Sequence, residues 1–352
     1  MYNSPTNSFK KNAEIERHNR PKFQWLEPLL LLAPSGIWLL LFLILPTLII
    51  FELSLVPGIR PGEIVNPGKI SDYSQFFNPQ NWQNIWQSLT LNYARILDPL
   101  YLQVIKRSLF FAIGTTVICL VLAFPVAYWI AQLAPQRWRN LFLLGFVLPL
   151  WTSSLLRTYA WITILRPTGL LNTVLDSIGL QSIFDSIDLE TILDRIGLQT
   201  IFDSIGLETL NLQQILDLLN PAVFIGMSYS ALPYMVLILY ASLEKLDQRL
   251  LEAAADLGAN PLQVFWKVTV PQVITGITAS SFLVFITTLG DFVNPELLGG
   301  PSSMTVARLI YNQFLGATQN WGFGSALSMT LIMLVSIAIA VLIKFGETKP
   351  RR

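Results

Sequence analysis

Cysteine and histidine occur once each in this chain of 352 residues, at positions 119 and 18, and only 13% of the residues are charged. One thiol makes no disulfide within the chain, and one imidazole with one thiol falls short of a metal cage. Soluble domains carry about 25% charged residues, so a soluble monomer is excluded. The 23 Lys and Arg nearly balance the 22 Asp and Glu, leaving a net charge of +1. No basic face is on offer to nucleic acid or to an acidic substrate. The chain also lacks a Gly-x-x-x-x-Gly-Lys-Ser/Thr run, the usual loop that cradles nucleotide phosphates.

What is present is apolar length: 53% of the residues are hydrophobic and the mean hydropathy is +0.53. A helix needs about 20 apolar residues to cross the ~30 Å hydrocarbon layer. Five uncharged runs reach that size: 29–51, 108–133, 218–243, 268–290 and 321–343. A sixth, 140–156, becomes long enough as 140–165 if Arg157 snorkels and the helix continues from Thr158 to Leu165. The fold class expected is therefore an all-α membrane protein of six transmembrane helices. Prolines 34, 46, 125, 149 and 233 fall inside these runs, where a packed bundle re-satisfies the carbonyls they free.

The segments between the runs form two alternating sets. One set of 67 residues holds 14 Lys and Arg, whereas the other, of 147 residues, holds nine together with 14 of the 22 acids. The positive-inside rule then puts both termini in the cytoplasm. Residues 1–28 form a polar tail before a 23-residue run, which fits an uncleaved first helix better than a cleaved leader. On the external side, residues 175–210 contain four nine-residue copies, LDSIGLQSI, FDSIDLETI, LDRIGLQTI and FDSIGLETL. Each has at most one glycine, unlike a calcium-binding nonapeptide solenoid. Short amphipathic helices in a duplicated insertion on a tolerant loop fit better.

The internal segment 244–271 is long enough to fold by itself and reads as helix, turn, helix. Asp247 is placed to N-cap a helix through Leu257, and Gly258 to end it in the left-handed conformation. Asn260, Pro261 and Gln263 then fit a capping box opening a second helix through Val264, Phe265 and Lys267 to the membrane at Pro271. Leu250, Ala254 and Leu257 share one helical face, so small and apolar surface is left needing a cover.

Glu252, Ala253 and Ala254, followed by Gly258, Phe265 and Pro271, resemble the EAA loop of the ABC importer permeases. The likeness extends over nearly the whole chain to the spermidine/putrescine (PotB-like) permease family. It is carried by Asn92–Tyr101, by Pro149–Tyr159, by Ala231–Met235 leading to Ser242–Asp247, and by Gly290–Val293 with Leu298–Gly300. The long N-terminal tail and the nonapeptide insertion depart from that pattern. The resemblance implies an inner-membrane permease, not an enzyme and without a cofactor or metal. Its implied partners are two copies of an ABC ATPase subunit, a second permease, an extracytoplasmic polyamine-binding protein and membrane lipid, with no nucleic acid. Glu252 and its neighbours would dock on the ATPase. For a polycation, carboxylates and aromatic faces are the expected contacts, and Asp291, Glu296, Tyr159 and Trp161 are the candidates. Asp291 has an alternative role as a cap or a partner of Arg157 or Arg308. A permease for iron, sulfate or another small solute stays open as an alternative, as does a channel or membrane enzyme. The uncharged runs lack the clustered ionisable groups an enzyme would need.

Overall fold

The computed structural model describes residues 26–55, 91–166, 169–177, 220–316 and 319–346. His18 and nearly all of the nonapeptide region lie outside them. Every regular element among the described residues is helical. Two compact units divide the chain, Met1–Leu53 and Ser54–Arg352.

The described residues of the first unit belong to one helix, α1 (Leu26–Ser54), with Pro34 and Pro46 inside it. From Leu32 onward most of its apolar side chains stand exposed, Trp38 stacking on Phe42 at 5.1 Å. The hydroxyls of Ser35 and Thr47 donate to the carbonyls of Leu32 and Leu43, so neither is left unbonded on a surface that lipid can cover.

The second unit is built on α2 (Pro99–Tyr128), α6 (Pro221–Leu243) and α10 (Ile274–Leu289), which pack against one another. On α2 the fully buried Ala112, Thr115, Cys119, Ala123 and Ala127 recur every three or four residues. This stripe of small side chains lets the helices approach closely, the usual basis of association where lipid offers no hydrophobic contrast. Met235, Val236, Leu239 and Leu243 of α6 and Val284 of α10 complete the same core. At Gly276 a Cβ would fall on the side chain of Ser242, so glycine sets the α6–α10 contact there.

Four helices are long and apolar enough to cross a membrane by themselves: 32–54, 99–133, 221–243 and 321–340. Two bent pairs complete the expected six if each is one span. The continuous helix expected over 140–165 does not form. In its place stand two limbs, α3 (Gln136–Val147), extended by a 3-10 turn at Leu148–Trp151, and α4 (Ser154–Leu165), bent by 95°. Pro149 donates no backbone bond, Thr152 and Ser153 are extended, and the Thr152 hydroxyl caps the Pro149 carbonyl at 2.8 Å. Residue 268 is likewise not where the fifth span straightens. The chain bends by 71° at Val273, after Pro271, and only 274–289 forms the straight helix. The second span begins earlier than expected, at Pro99, because Pro at the first helical position starts the helix after Asp98.

A short helix α5 (Leu170–Ser177) follows α4. Beyond α10 come α11 (Val293–Gly299) and α12 (Val306–Leu315), then α13 (Trp321–Gly346). Ser108 of α2 holds the start of α12, accepting from the backbone N–H of Val306 at 2.7 Å. Arg95 lies over the ring of Phe323, 4.7 Å from its centroid, and near that of Tyr101.

Candidate functional site

The helix-turn-helix expected between the fourth and fifth spans is present. Helix α7 (Gln248–Asp256) is capped by Asp247, whose carboxylate accepts from the N–H of Arg249 at 3.0 Å. It ends in a Schellman motif: the N–H of Gly258 donates to the carbonyl of Ala255 at 2.9 Å, and that of Ala259 to Ala254 at 3.1 Å. Gly258 takes φ +82°, a region that costs other L-residues about 1–2 kcal/mol. Asn260 and Gln263 form the reciprocal capping box, at 2.8 and 3.2 Å, opening α8 (Pro261–Val264). A π turn at Phe265–Thr269 and the short α9 (Val270–Gln272) carry the segment to the bend.

The segment has two faces. Leu251 and Phe265 turn toward the bundle core, Phe265 meeting Phe124 of α2 edge to face. Glu252 and Ala253 are exposed, and with them stand Leu250, Leu262, Trp266 and Leu257, the last 90% exposed. Ala254 is half-buried and Pro271 is exposed just before the bend. Gln132, at the end of the second span, binds both this segment and the end of α6. It is a residue that sequence reasoning passes over, although a lone amide at the tip of an apolar run is a visible signal.

At the far end of α10 lies a polar cluster. One oxygen of Asp291 accepts from the N–H groups of Val293 and Asn294, capping α11, and the other accepts from the Asn294 amide at 2.6 Å. Asn294, buried, accepts in turn from the hydroxyl of Thr158 on α4 at 3.0 Å. Helix α4 is thereby tied to the segment that follows α10. Burial pushes the Asp291 carboxyl above the usual carboxylate range, against those hydrogen bonds and the nearby charge of Arg157. Gly226 of α6 faces Asn294 and Leu298, where any Cβ would intrude.

Glu296 does not join Asp291. It pairs with Arg308 of α12, whose guanidinium also donates to the carbonyl of Gly300 at 2.6 Å. Phe292 and Tyr311 stack between the same two helices, 4.9 Å apart. Trp161 of α4 meets Tyr229 of α6 edge to face at 5.5 Å, and Tyr159 is exposed. No cluster of three metal-ligating side chains occurs among the described residues.

Residues 28–345, all of the spans and the helix-turn-helix, match the model of one family, the binding-protein-dependent transport system inner membrane components. The chain belongs to that family. Within it the chain is PotB-like. It is 32% identical to the spermidine/putrescine transport system permease protein PotB of Haemophilus influenzae, over 90% of this chain and 92% of that protein. PotB of Escherichia coli K12 is 34% identical, covering 86% and 92%. Among solved structures, a bacterial alginate ABC transporter in complex with an alginate pentasaccharide-bound periplasmic protein superposes with a TM-score of 0.60 at 16% identity, over 94% of this chain and 98% of that one. That likeness is one of fold. A binding-protein-dependent permease of this family is a multi-pass protein of the inner membrane and a transport component, not an enzyme.

Proposed function

We propose that this chain is the permease subunit of an ATP-driven importer that carries polyamines, spermidine or putrescine, into the cytoplasm by alternating access. The observation that carries the substrate class is identity of 32–34% to PotB permeases along almost their full length. Energy comes from a separate ATPase, since no phosphate-binding loop occurs in this sequence. The assembly proposed has two ATPase subunits, a second permease and an extracytoplasmic polyamine-binding protein.

Residues 244–271 are the coupling loop. The exposed face around Glu252, Leu257 and Trp266 supports this role, because apolar side chains outside the membrane need a cover and a carboxylate among them suits a basic groove. Differential contact of the loop in two ATPase states shifts the bundle between inward and outward facing. This orientation keeps residues 1–28 and the C-terminus in the cytoplasm, as the Lys and Arg distribution favours. The 175–210 repeats are an external insertion.

Asp291 is the foremost candidate in the substrate path, and Tyr159 and Trp161 are the candidate aromatic faces for ammonium groups. Glu296 is the weaker ligand candidate, since its carboxylate is engaged by Arg308.

The test is uptake of labelled spermidine, putrescine, sulfate and ferric iron in cells with and without the gene, repeated with Glu252→Ala. Loss of polyamine uptake in both strains is the expected result. Loss of sulfate or iron uptake instead keeps the importer and discards the polyamine. Polyamine uptake that survives removal of the gene, in cells with no second polyamine importer, discards the substrate reading.

A further inference from the structure

The end of the second span meets the α6–α7 connection, more than a hundred residues further along the chain, at one amide. Gln132 sits in the π turn Trp129–Leu133 that finishes the second span. Its Nε2 donates to the carbonyl of Leu243, the fully buried last residue of α6, at 2.6 Å. Its Oε1 accepts from Nε2 of Gln248, the first residue of α7, at 3.0 Å. A carbonyl can only accept, so the Gln132 nitrogen must face Leu243 and its oxygen is left for Gln248. Only a side-chain amide of this length meets both demands: a carboxylate would set oxygen against oxygen at Leu243, and an aliphatic side chain would abandon both partners. Single π turns inside helices occur often at functional sites, and this one lies beside the only polar bridge that the described residues offer between α7 and the inner ends of two spans.

We propose that Gln132 is a positioning residue for energy transfer: it ties the first turn of the coupling helix to the ends of the second and fourth spans, so that displacement of the helix draws on both. Phe265 grips the bundle through the second helix of the loop, whereas the first is held by Leu251 against the core and by the polar bond from Gln132. Without it, α7 keeps its direct chain connection to α6 through residues 244–247 but can follow the ATPase while α2 lags behind. The inference rests on reading 244–271 as the coupling loop, and its test separates the two.

The complete assembly is reconstituted in proteoliposomes with solute-loaded binding protein, and solute carried per ATP hydrolysed is measured for wild type, Gln132→Leu, Gln132→Glu, Gln248→Ala, the Gln132→Leu/Gln248→Ala double variant and Glu252→Ala. In Gln132→Leu the ratio is expected to fall about fivefold, the scale of one hydrogen bond lost at a buried carbonyl that keeps only the N–H of Leu246, while the amount of co-purified ATPase stays at the wild-type level. Gln132→Glu should do no better. Gln248→Ala should lose less, and the double variant no more than Gln132→Leu alone, because both changes cut one bridge. A wild-type ratio in Gln132→Leu, or losses that multiply in the double variant, overturns the proposal. Should Gln132→Leu fail to assemble, Gln248→Ala decides by itself, being an exposed position, and a wild-type ratio there overturns it. A low ratio in Glu252→Ala with a wild-type ratio in Gln132→Leu discards Gln132 alone; a wild-type ratio in Glu252→Ala discards the coupling loop and Gln132 with it.

Discussion

Phe265, on the second helix of the loop, sets its ring edge to face against that of Phe124 in the second span, 5.2 Å between centroids and 83° between planes. Phe124 immediately precedes Pro125, where the helix cannot complete its backbone ladder. The loop therefore touches the second span beside the one residue inside α2 that donates no backbone hydrogen bond.

Phe265→Ala and Phe124→Ala should each lower solute carried per ATP, and together should lose no more than the worse of the two. A double-mutant cycle on thermal unfolding in detergent should give about 1 kcal/mol of coupling, the worth of such a pair beyond its buried area. Additive losses would show that the rings act separately.

Gly258→Val should weaken the loop without disturbing membrane insertion. Nothing stands within 4 Å of a Cβ at this position, so the cost comes entirely from φ +82°, about 1–2 kcal/mol. Gly258→Asn, which tolerates the left-handed region, should retain most of the transport that valine loses. Equal activity in the two variants would remove the cap from the coupling mechanism.

Asp291 should make polyamine uptake sensitive to acid above the range in which exposed carboxylates titrate. Burial raises its folded-state pKa, so on lowering the pH its charge, and with it the attraction for an ammonium group, is lost early. The folded state binds this proton more readily than the unfolded chain does, so the group's contribution to stability rises as the pH falls through the raised pKa and declines as the pH increases. Lost uptake in acid is thus not unfolding at this site. Asp291→Asn should lower uptake at neutral pH and flatten its pH profile; an unchanged profile would take Asp291 out of the path.

Gly276→Leu should block assembly of the bundle, because Ser242 occupies the space a side chain would need. Overpacking of this kind costs typically 1–3 kcal/mol. Yield of folded protein after detergent extraction measures it, with Gly36→Leu as the control, since nothing lies within 4 Å of a Cβ there.

Deleting 176–210 should preserve assembly with the ATPase and second permease. Binding-protein-stimulated ATP hydrolysis is the discriminating measurement. Its loss with the complex intact would give the repeats a part in docking.

The helix-turn-helix was legible residue by residue. Asp247, Gly258 and the Asn260–Gln263 box act on backbone groups two or three positions away, and such bonds are a property of local sequence. The bend at Thr152 and Ser153 was not legible. Apolar character runs unbroken across it, and a proline in a membrane helix is as compatible with a slight kink as with a 95° turn. Asp291 stood out as a charge at a span end, but its bond to Asn294, and that residue's to Thr158 on another helix, depends on where α4 lies after the bend.

The sequence by itself determined that this is a helical membrane protein, how many apolar segments it has and where its loop helices start and stop. These follow from segment length, charge scarcity and capping chemistry, each set by neighbours along the chain. Tertiary structure decided how sharply the two bent helix pairs turn, that Glu296 is taken by Arg308 while Asp291 is tied to α4, and that Gln132 joins the loop to the ends of α2 and α6. Those contacts link residues up to more than a hundred positions apart, and their partners are chosen by helix packing against small side chains, which no local pattern encodes.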